Sequence, residues 1–267
     1  MMLDVVILAG GYGKRLWPIT LNTAKPLLPV CGKPVIEYIV EKLDEVECLR
    51  SIIISTNLRF EDDFKRWAEK YGDERIKIIV EESRSEEEKL GAVKALSRLS
   101  TQLEHDALVV AGDNLFTGSL RPLIEKYSGR PVIAIYDVGD AELAKLYGVV
   151  KIDDETRIID LVEKPERPSS TLVSTGIYIF PMQVLYMVGE YLGVGGGGDR
   201  LGDFIQWLHK KIPVYGYLLD GDWWDVGDIE SYKRAVESLS RRRALTHVRR
   251  TVRKPDQGHK NSERSGD

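Results

Sequence analysis

Short apolar runs rich in Val and Ile recur along the chain, and between the earlier runs lie stretches whose apolar residues repeat every three or four positions. Runs of this kind are typical of strands buried on both faces, whereas the three-to-four-residue repeat is typical of amphipathic helices. The predicted strands are 4–8, 51–55, 76–80, 107–111, 132–136, 148–152, 158–162, 176–180 and 214–219, and the predicted helices are 34–44, 60–71, 90–100 and 120–127. This alternation predicts a three-layer α/β fold with a mixed, mainly parallel central sheet.

The spacing between predicted strands shortens after residue 132, which indicates antiparallel additions at one side of the sheet. Sheets of this kind bind ligands beyond the carboxyl ends of their strands. The loop 9–15, the residues after 110 and the ends of the later strands are therefore expected around one crevice.

Some segments lack the pattern of core elements. Residues 81–89 are predicted to form a charged loop, and the glycine-rich stretch 193–202 is predicted to be a flexible loop or lid. Asp228 precedes a helical pattern over 229–240 and could cap the start of that helix.

The composition, 43% hydrophobic and 30% charged, is that of a soluble globular protein. No apolar run approaches the roughly 20 residues that a membrane span requires, and the N-terminus lacks the pattern of a secretory signal. The two cysteines, Cys31 and Cys48, lack the spacing of metal ligands, and so few cysteines favour a reducing, cytoplasmic compartment.

Charge is distributed unevenly along a chain whose net charge is −4. Residues 241–267 hold nine Lys or Arg and three Asp or Glu, so the preceding part is clearly acidic. We therefore predict a main domain over 1–240 and a basic extension over 241–267, whose last residues, 254–267, have the composition of a disordered segment. The extension could bind nucleic acid or an acidic membrane, although such ends are more often solvated or contact another subunit of a homo-oligomer.

The first predicted strand is followed by a loop that contains Gly10, Gly11 and Gly13 and then two cations, Lys14 and Arg15. Glycines at this spacing allow positive φ angles and let backbone N–H groups approach a ligand without interference from Cβ atoms. Successive N–H groups in such a turn form a concave anion site, and the two cations add charge of the right sign. The loop is therefore predicted to bind phosphate.

Two well-known phosphate loops do not fit this segment. A P-loop would need glycine at Leu8 and Ser or Thr at Arg15, and a dinucleotide-binding fingerprint would need its third glycine at Leu16. The pattern that fits is G-G-x-G-x-R-L-x-P-x-T, followed by K-P-L-L-P-V, which begins at Lys25, and then by K-P at Lys33. This arrangement resembles the N-terminal signature of the sugar nucleotidyltransferases, enzymes that join a nucleoside triphosphate and a sugar 1-phosphate. The resemblance covers about residues 3–240 and implies their Rossmann-like nucleotidyltransferase fold.

Two carboxylates stand where the family places its metal ligands. Asp113 ends the apolar run V-V-A-G-D-N, and Asp225 follows two aromatic residues in W-W-D-V-G-D. Either residue alone would usually be a cap or turn residue, but Mg²⁺ in proteins prefers one or two carboxylates together with substrate phosphate oxygens. The resemblance implies that Asp113 and Asp225 hold Mg²⁺, and Asp228 is left out of the metal site.

The resemblance also assigns the remaining site residues. Three further motifs, Y-G-V-V, E-K-P and S-T-G-I-Y, follow in the family's order. The residues expected to carry the reaction are Arg15, Lys25, Asp113, Lys164 and Asp225. Those expected to bind the nucleotide are Leu8, Ala9, Gly10, Gly11, Gly13, Lys14, Gly91 and Asn114. Those expected to bind the sugar phosphate are Gly148, Glu163, Lys164, Thr175 and Gly176.

The expected reaction is in-line attack of the sugar phosphate on the α-phosphorus, with dTTP or UTP and glucose 1-phosphate as the favoured substrates. A guanylyltransferase for mannose 1-phosphate and a non-catalytic nucleotide-sugar sensor remain alternatives. The residue that reads the base stays open among the glutamates of 81–88. The sequence lacks the hexapeptide repeats that longer relatives append, so acetyltransferase activity is not expected.

Overall fold

The computed structural model describes residues 2–252, with side chains through Arg242. The predicted disordered end, 254–267, lies outside this range. The strands are β1 (Leu3–Leu8), β2 (Pro29–Val30), β3 (Lys33–Pro34), β4 (Leu49–Asn57), β5 (Ile76–Glu81), β6 (Asp106–Ala111), β7 (Asn114–Phe116), β8 (Val132–Asp137), β9 (Gly148–Ile152), β10 (Ile158–Glu163), β11 (Leu172–Phe180), β12 (Tyr215–Leu218) and β13 (Trp223–Asp225). The helices are α1 (Val35–Leu43), α2 (Glu61–Tyr71), α3 (Ala92–Ser100), α4 (Arg121–Glu125), α5 (Ala141–Ala144), α6 (Met182–Gly193), α7 (Leu201–Leu208) and α8 (Ile229–Val252).

Nine strands form the central sheet. Its main path runs β10-β9-β11-β6-β1-β4-β5, and β8 pairs with both β11 and β12. Strands β6, β1, β4 and β5 are mutually parallel, whereas β11 runs antiparallel to β6, β8 and β9. The mixed sheet and the antiparallel additions after residue 132 are therefore confirmed.

The sheet is covered on both faces, as the apolar composition of its strands requires. In β1, Val5 and Ile7 pack in one core cluster together with α1 and α2, while Val6 faces a second cluster formed with α3, α6 and α7. Helices α6 and α7 were not predicted. The predicted loop 193–202 is partly wrong, because its last two residues begin α7.

A third cluster joins the C-terminal helix to the glycine-loop region. Ala235 and Leu239 of α8 pack with Leu16, Leu28 and Val226. Helix α8 thereby supports the segment that contains Arg15, and it continues without a break past residue 240. Within residues 2–252, no helix combines the length and hydropathy needed to cross a membrane.

Candidate active site

The loop after β1 has a fixed backbone. The amide of Ala9 donates to the carbonyl of Ser55 at 2.7 Å, and the Thr20 hydroxyl donates to the carbonyl of Gly13 at 2.8 Å. Gly13 has φ +62°, and a Cβ there would lie 3.2 Å from the Thr20 side chain, so glycine is required. A short 3₁₀ turn follows over Lys14–Leu16 and presents Arg15 to the adjoining cavity.

A cavity of about 330 Å³, here called the main cavity, opens at the carboxyl ends of β1 and β6. It gathers most of the predicted site residues, although they come from distant parts of the sequence. These residues are Leu8, Ala9, Gly11, Arg15, Lys25, Asp113, Gly148, Glu163, Lys164, Thr175, Gly176 and Asp225.

Asp113 and Asp225 lie side by side because Asp113 directly precedes β7, and Asp225 ends β13, which pairs with β7. Strand β13 runs antiparallel to β7, and the amide of Val226 donates to the carbonyl of Asp113 at 2.9 Å. The Lys25 ammonium donates to the Asp113 carboxylate, and both side chains are mostly buried. The Arg15 guanidinium and the Asp225 carboxylate both lie close to Gly227. A Cβ atom built on that glycine would be 3.3 Å from Arg15 Nη2 and 2.7 Å from Asp225 Oδ2. Two acids and two cations thus meet in the main cavity, where Lys25, Asp113 and Asp225 are partly buried and Arg15 is exposed.

The two carboxylates have opposite pKa shifts. Burial and the nearby Asp113 charge raise the pKa of Asp225 to about 7, although Lys25 and Arg15 act against the shift. Burial also disfavours ionisation of Asp113, but the paired Lys25 ammonium outweighs it and lowers the pKa of Asp113. The two carboxylates therefore repel each other, and Lys25 offsets this repulsion mainly at Asp113.

This donor set fits a divalent cation that completes its coordination with substrate oxygens. Mg²⁺ is commonly held by one or two carboxylates plus phosphate oxygens and water. Among residues 2–242, no group of three or more His, Cys, Asp or Glu side chains forms a metal site. Asp113 and Asp225 would hold such an ion only together with the phosphates.

Glu163 and Lys164 form the opposite wall of the main cavity. A Cβ at Gly148 would be 3.0 Å from Glu163 Oε2, and one at Gly202 would be 2.4 Å from the same atom, so the carboxylate lies against two glycine backbones. Burial raises the pKa of Glu163 despite the charges of Lys164 and Arg200. Lys164 has φ +48°, and its amide donates to the carbonyl of Tyr147 at 3.0 Å. This wall can neutralise a phosphate and accept hydrogen bonds from hydroxyls.

The S-T-G motif shapes the cavity mainly through its backbone. The Thr175 hydroxyl donates to the carbonyl of Ala134 at 2.8 Å and is therefore engaged within the sheet. Gly176, with φ +80°, lies within the irregularity of β11, and a Cβ there would be 3.1 Å from both Ala111 and Asn114. A larger residue at 176 would push β11 away from β6.

Two side chains that are predicted to bind the nucleotide, those of Asn114 and Lys14, also contact other protein groups. Both polar groups of the Asn114 amide are engaged: the nitrogen donates to the carbonyl of Ala111 at 3.1 Å, and the oxygen accepts from the Trp223 indole. Asn114 therefore positions β7 against β13. Lys14 forms an ion pair with Glu87 at 2.6 Å on the surface.

A smaller cavity of about 160 Å³, here called the second cavity, adjoins the main cavity. The predicted residues Gly10 and Gly91 lie here. Of the glutamates between residues 81 and 88, the one that lines the second cavity is Glu81, at the end of β5. Only 4% of the surface of Glu81 is exposed. The Ser83 hydroxyl donates to Glu81 Oε1 at 3.2 Å, and burial raises the pKa of Glu81.

The glycine-rich segment before α7 forms a wall of both cavities. The carbonyl of Gly198 accepts from the amides of Val93 and Lys94 at 3.0 and 3.2 Å, and that of Asp199 accepts from Ala92 at 2.9 Å. These bonds satisfy the first amides of α3, and residues 194–200 form a loop, as predicted, that is held against the start of that helix. Asp199 and Arg200, which line the cavities, were missed because no local pattern links residue 198 to residue 92.

The family model described as Nucleotidyl transferase matches residues 4–242. The bifunctional protein GlmU of Methanocaldococcus jannaschii is 33% identical over 84% of the chain, which spans about half of that protein's length (51%). A Sulfolobus acidocaldarius protein provisionally named mannose-1-phosphate guanyltransferase is 30% identical over 87% of the chain and 62% of its own length. A crystal structure of a Bacillus anthracis protein, provisionally named glucose-1-phosphate thymidylyltransferase and bound to sucrose, is 28% identical and superposes with a TM-score of 0.77 over 89% of this chain and 94% of its own. The family match together with the shared fold shows that the chain belongs to the nucleotidyl transferase family.

Proposed function

We propose that this protein transfers a nucleotidyl group from a nucleoside triphosphate to a sugar 1-phosphate and releases pyrophosphate. The observation that carries the proposal is the convergence of Arg15, Lys25, Asp113, Lys164 and Asp225 on one cavity. The names of the relatives describe reactions of this class. A protein that only binds nucleotide sugars would not need a mutually repelling carboxylate pair between its cations.

The chemistry follows from the charges of the reactants. A phosphate monoester has a second pKa of about 6, so a sugar 1-phosphate is largely dianionic at neutral pH and needs no general base. One of its oxygens forms a bond to the α-phosphorus, while the bond from that phosphorus to the bridging oxygen breaks and pyrophosphate leaves with the electron pair. Positioning and neutralisation of charge then provide most of the catalysis.

Each cation has a place in this scheme. Arg15 and Lys25 would bind the triphosphate and stabilise the charge that develops on pyrophosphate, and Lys164 would bind the sugar phosphate on the opposite wall. A divalent ion held by Asp113 and Asp225 would supply further charge neutralisation at the shared phosphate oxygens. Glu163 would accept hydrogen bonds from sugar hydroxyls.

UTP or dTTP with glucose 1-phosphate is the first substrate pair to test. A second candidate, guanylyl transfer to mannose 1-phosphate, is favoured by Glu81. An ionised carboxylate can accept hydrogen bonds from two adjacent N–H groups, which guanine presents on its pairing edge. Uracil and thymine present a single N–H between two carbonyl oxygens, and a carboxylate would repel those oxygens.

The deciding experiment measures pyrophosphate release with Mg²⁺ for five triphosphates, ATP, CTP, GTP, UTP and dTTP, against the 1-phosphates of glucose, mannose and N-acetylglucosamine. Release with one pair supports the proposal and identifies the substrates. No release with any pair, together with measurable binding of a nucleotide sugar, would favour a sensor. If GTP is preferred, Glu81→Gln should lower kcat/KM for GTP relative to UTP, and Glu86→Gln, at a residue that lines neither cavity, should leave that ratio unchanged.

A further inference from the structure

The two cavities meet at a narrow set of shared residues. Leu8, Gly11, Ala92 and Asp199 line both of them. Of these four, only Asp199 has a side chain that can form hydrogen bonds.

The two cavities suit different parts of a nucleotide. The main cavity holds Arg15, Lys25 and Lys164, the cations that the phosphates require. The second cavity has the smaller volume and ends at the buried Glu81, which suits the edge of a base. A nucleotide that places its phosphates in one and its base in the other must place its ribose at the junction.

The backbone of Asp199 is fixed at this point. Its carbonyl accepts from the amide of Ala92, and its Cα would lie 2.5 Å from a Cβ built at Gly91. The Lys89 ammonium lies 3.2 Å from Asp199 Oδ1, and Lys89 is itself held 2.8 Å from Glu86. Among residues 2–242, Asp199 Oδ2 has no hydrogen-bond donor.

We propose that Asp199 is a specificity residue that accepts a hydrogen bond from the ribose hydroxyls, so that the protein prefers ribonucleotides to their deoxy analogues. This inference rests on the proposed function only in taking a nucleotide to be the ligand. A hydroxyl that donates to a carboxylate forms a charge-assisted bond, and the ion pair with Lys89 engages Oδ1 of Asp199 rather than Oδ2. Because 62% of the Asp199 side chain is exposed to solvent, we expect an effect of about tenfold, the lower end of the range for a charged hydrogen bond.

The test compares UTP with its 2′-deoxy and 3′-deoxy analogues, and GTP with the same pair of analogues. Equilibrium binding is measured calorimetrically on the full chain without sugar phosphate, so the result does not depend on turnover. Wild type should bind at least one deoxy analogue about tenfold more weakly than the ribonucleotide. Asp199→Ala should reduce this difference to within about twofold by weakening binding of the ribonucleotide.

Glu82→Ala is the matched control, because it removes an exposed carboxylate of the neighbouring loop that lines neither cavity. It should keep the discrimination of wild type. Equal binding of all three nucleotides by wild type, or unchanged discrimination in Asp199→Ala, would overturn the proposal. Neither result would bear on nucleotidyl transfer, which pyrophosphate release measures separately.

Discussion

Replacing Asp225 with Asn removes one of the two facing carboxylates while keeping the size and shape of the side chain. The pKa of Asp225 rises from an ordinary 3.8 to about 7, mainly through burial and then through repulsion by Asp113. This rise corresponds to about 4 kcal/mol of stability lost when Asp225 is ionised, at about 1.4 kcal/mol for each pH unit. The cavity is open to solvent, which screens part of the repulsion, so we expect Asp225→Asn to gain about 1–3 kcal/mol at pH 8.

The sign of the pH dependence follows from linkage. An acid whose folded-state pKa is raised binds its proton more tightly in the folded state than in the unfolded state. The contribution of Asp225 to the stability of wild type therefore falls as pH rises from about 4 to about 7 and falls no further above that, when Asp225 is ionised in both states. Asn does not ionise, so the gain of Asp225→Asn should be small near pH 4, grow up to about pH 7 and then level off.

Urea unfolding at pH 4.5, 6, 7 and 8, without divalent ions, measures this difference directly. The same variant should lose nucleotidyl transfer and should gain less stability from added Mg²⁺ than wild type, because one of two carboxylate ligands is absent. A variant that is more stable yet inactive would show that the carboxylate pair serves function at the expense of stability. A variant less stable than wild type at pH 8, or a gain that is independent of pH, would refute this account of the pair.

Three further predictions concern other parts of the site. Arg15→Ala should lower kcat about 10²–10³-fold in the pyrophosphate assay, the scale for losing one preorganised donor, and turnover near that of wild type would place Arg15 outside the site. Gly202→Ala should displace the Glu163 carboxylate and raise KM for the sugar phosphate about tenfold without changing KM for the triphosphate, whereas Gly197→Ala, whose Cβ would meet nothing closer than 3.8 Å, should leave both unchanged. Asp228→Ala should cost about 1 kcal/mol in urea unfolding at pH 7, since Asp228 accepts from an amide at the start of α8 at 2.8 Å, and Asp228→Asn should retain most of that stability. The hydrogen bonds of Asp228 outweigh its burial and lower its pKa, so the Asp228→Ala penalty should shrink as pH falls, opposite to the trend at Asp225.

Local patterns in the sequence were sufficient for the sheet and the glycine loop, whereas the family resemblance supplied most residues of the main cavity. The apolar run of β1 predicts a strand buried on both faces, and the glycines that follow predict a turn with positive φ, which Gly13 adopts. Asp113 could be placed because it closely follows the carboxyl end of β6, and parallel strands bring their carboxyl ends to one edge of a sheet.

Other features required the tertiary structure. The sequence offers several equivalent glutamates between residues 81 and 88, and only the packing of β5 against the glycine loop buries Glu81. Asn114 was predicted to bind the nucleotide, but the pairing of β7 with β13 engages both ends of its amide.

The position of Asp199 in the site likewise could not be predicted from local sequence. Its segment reads as a flexible glycine-rich loop, yet its backbone accepts hydrogen bonds from the start of α3, about a hundred residues away in sequence. The sequence by itself therefore determined which chemical groups this protein has and where its strands end, because periodicity and backbone preference act over a few residues. Only the tertiary structure decided which of several identical side chains faces the ligand, because burial and hydrogen-bond partners come from elements that are distant along the chain.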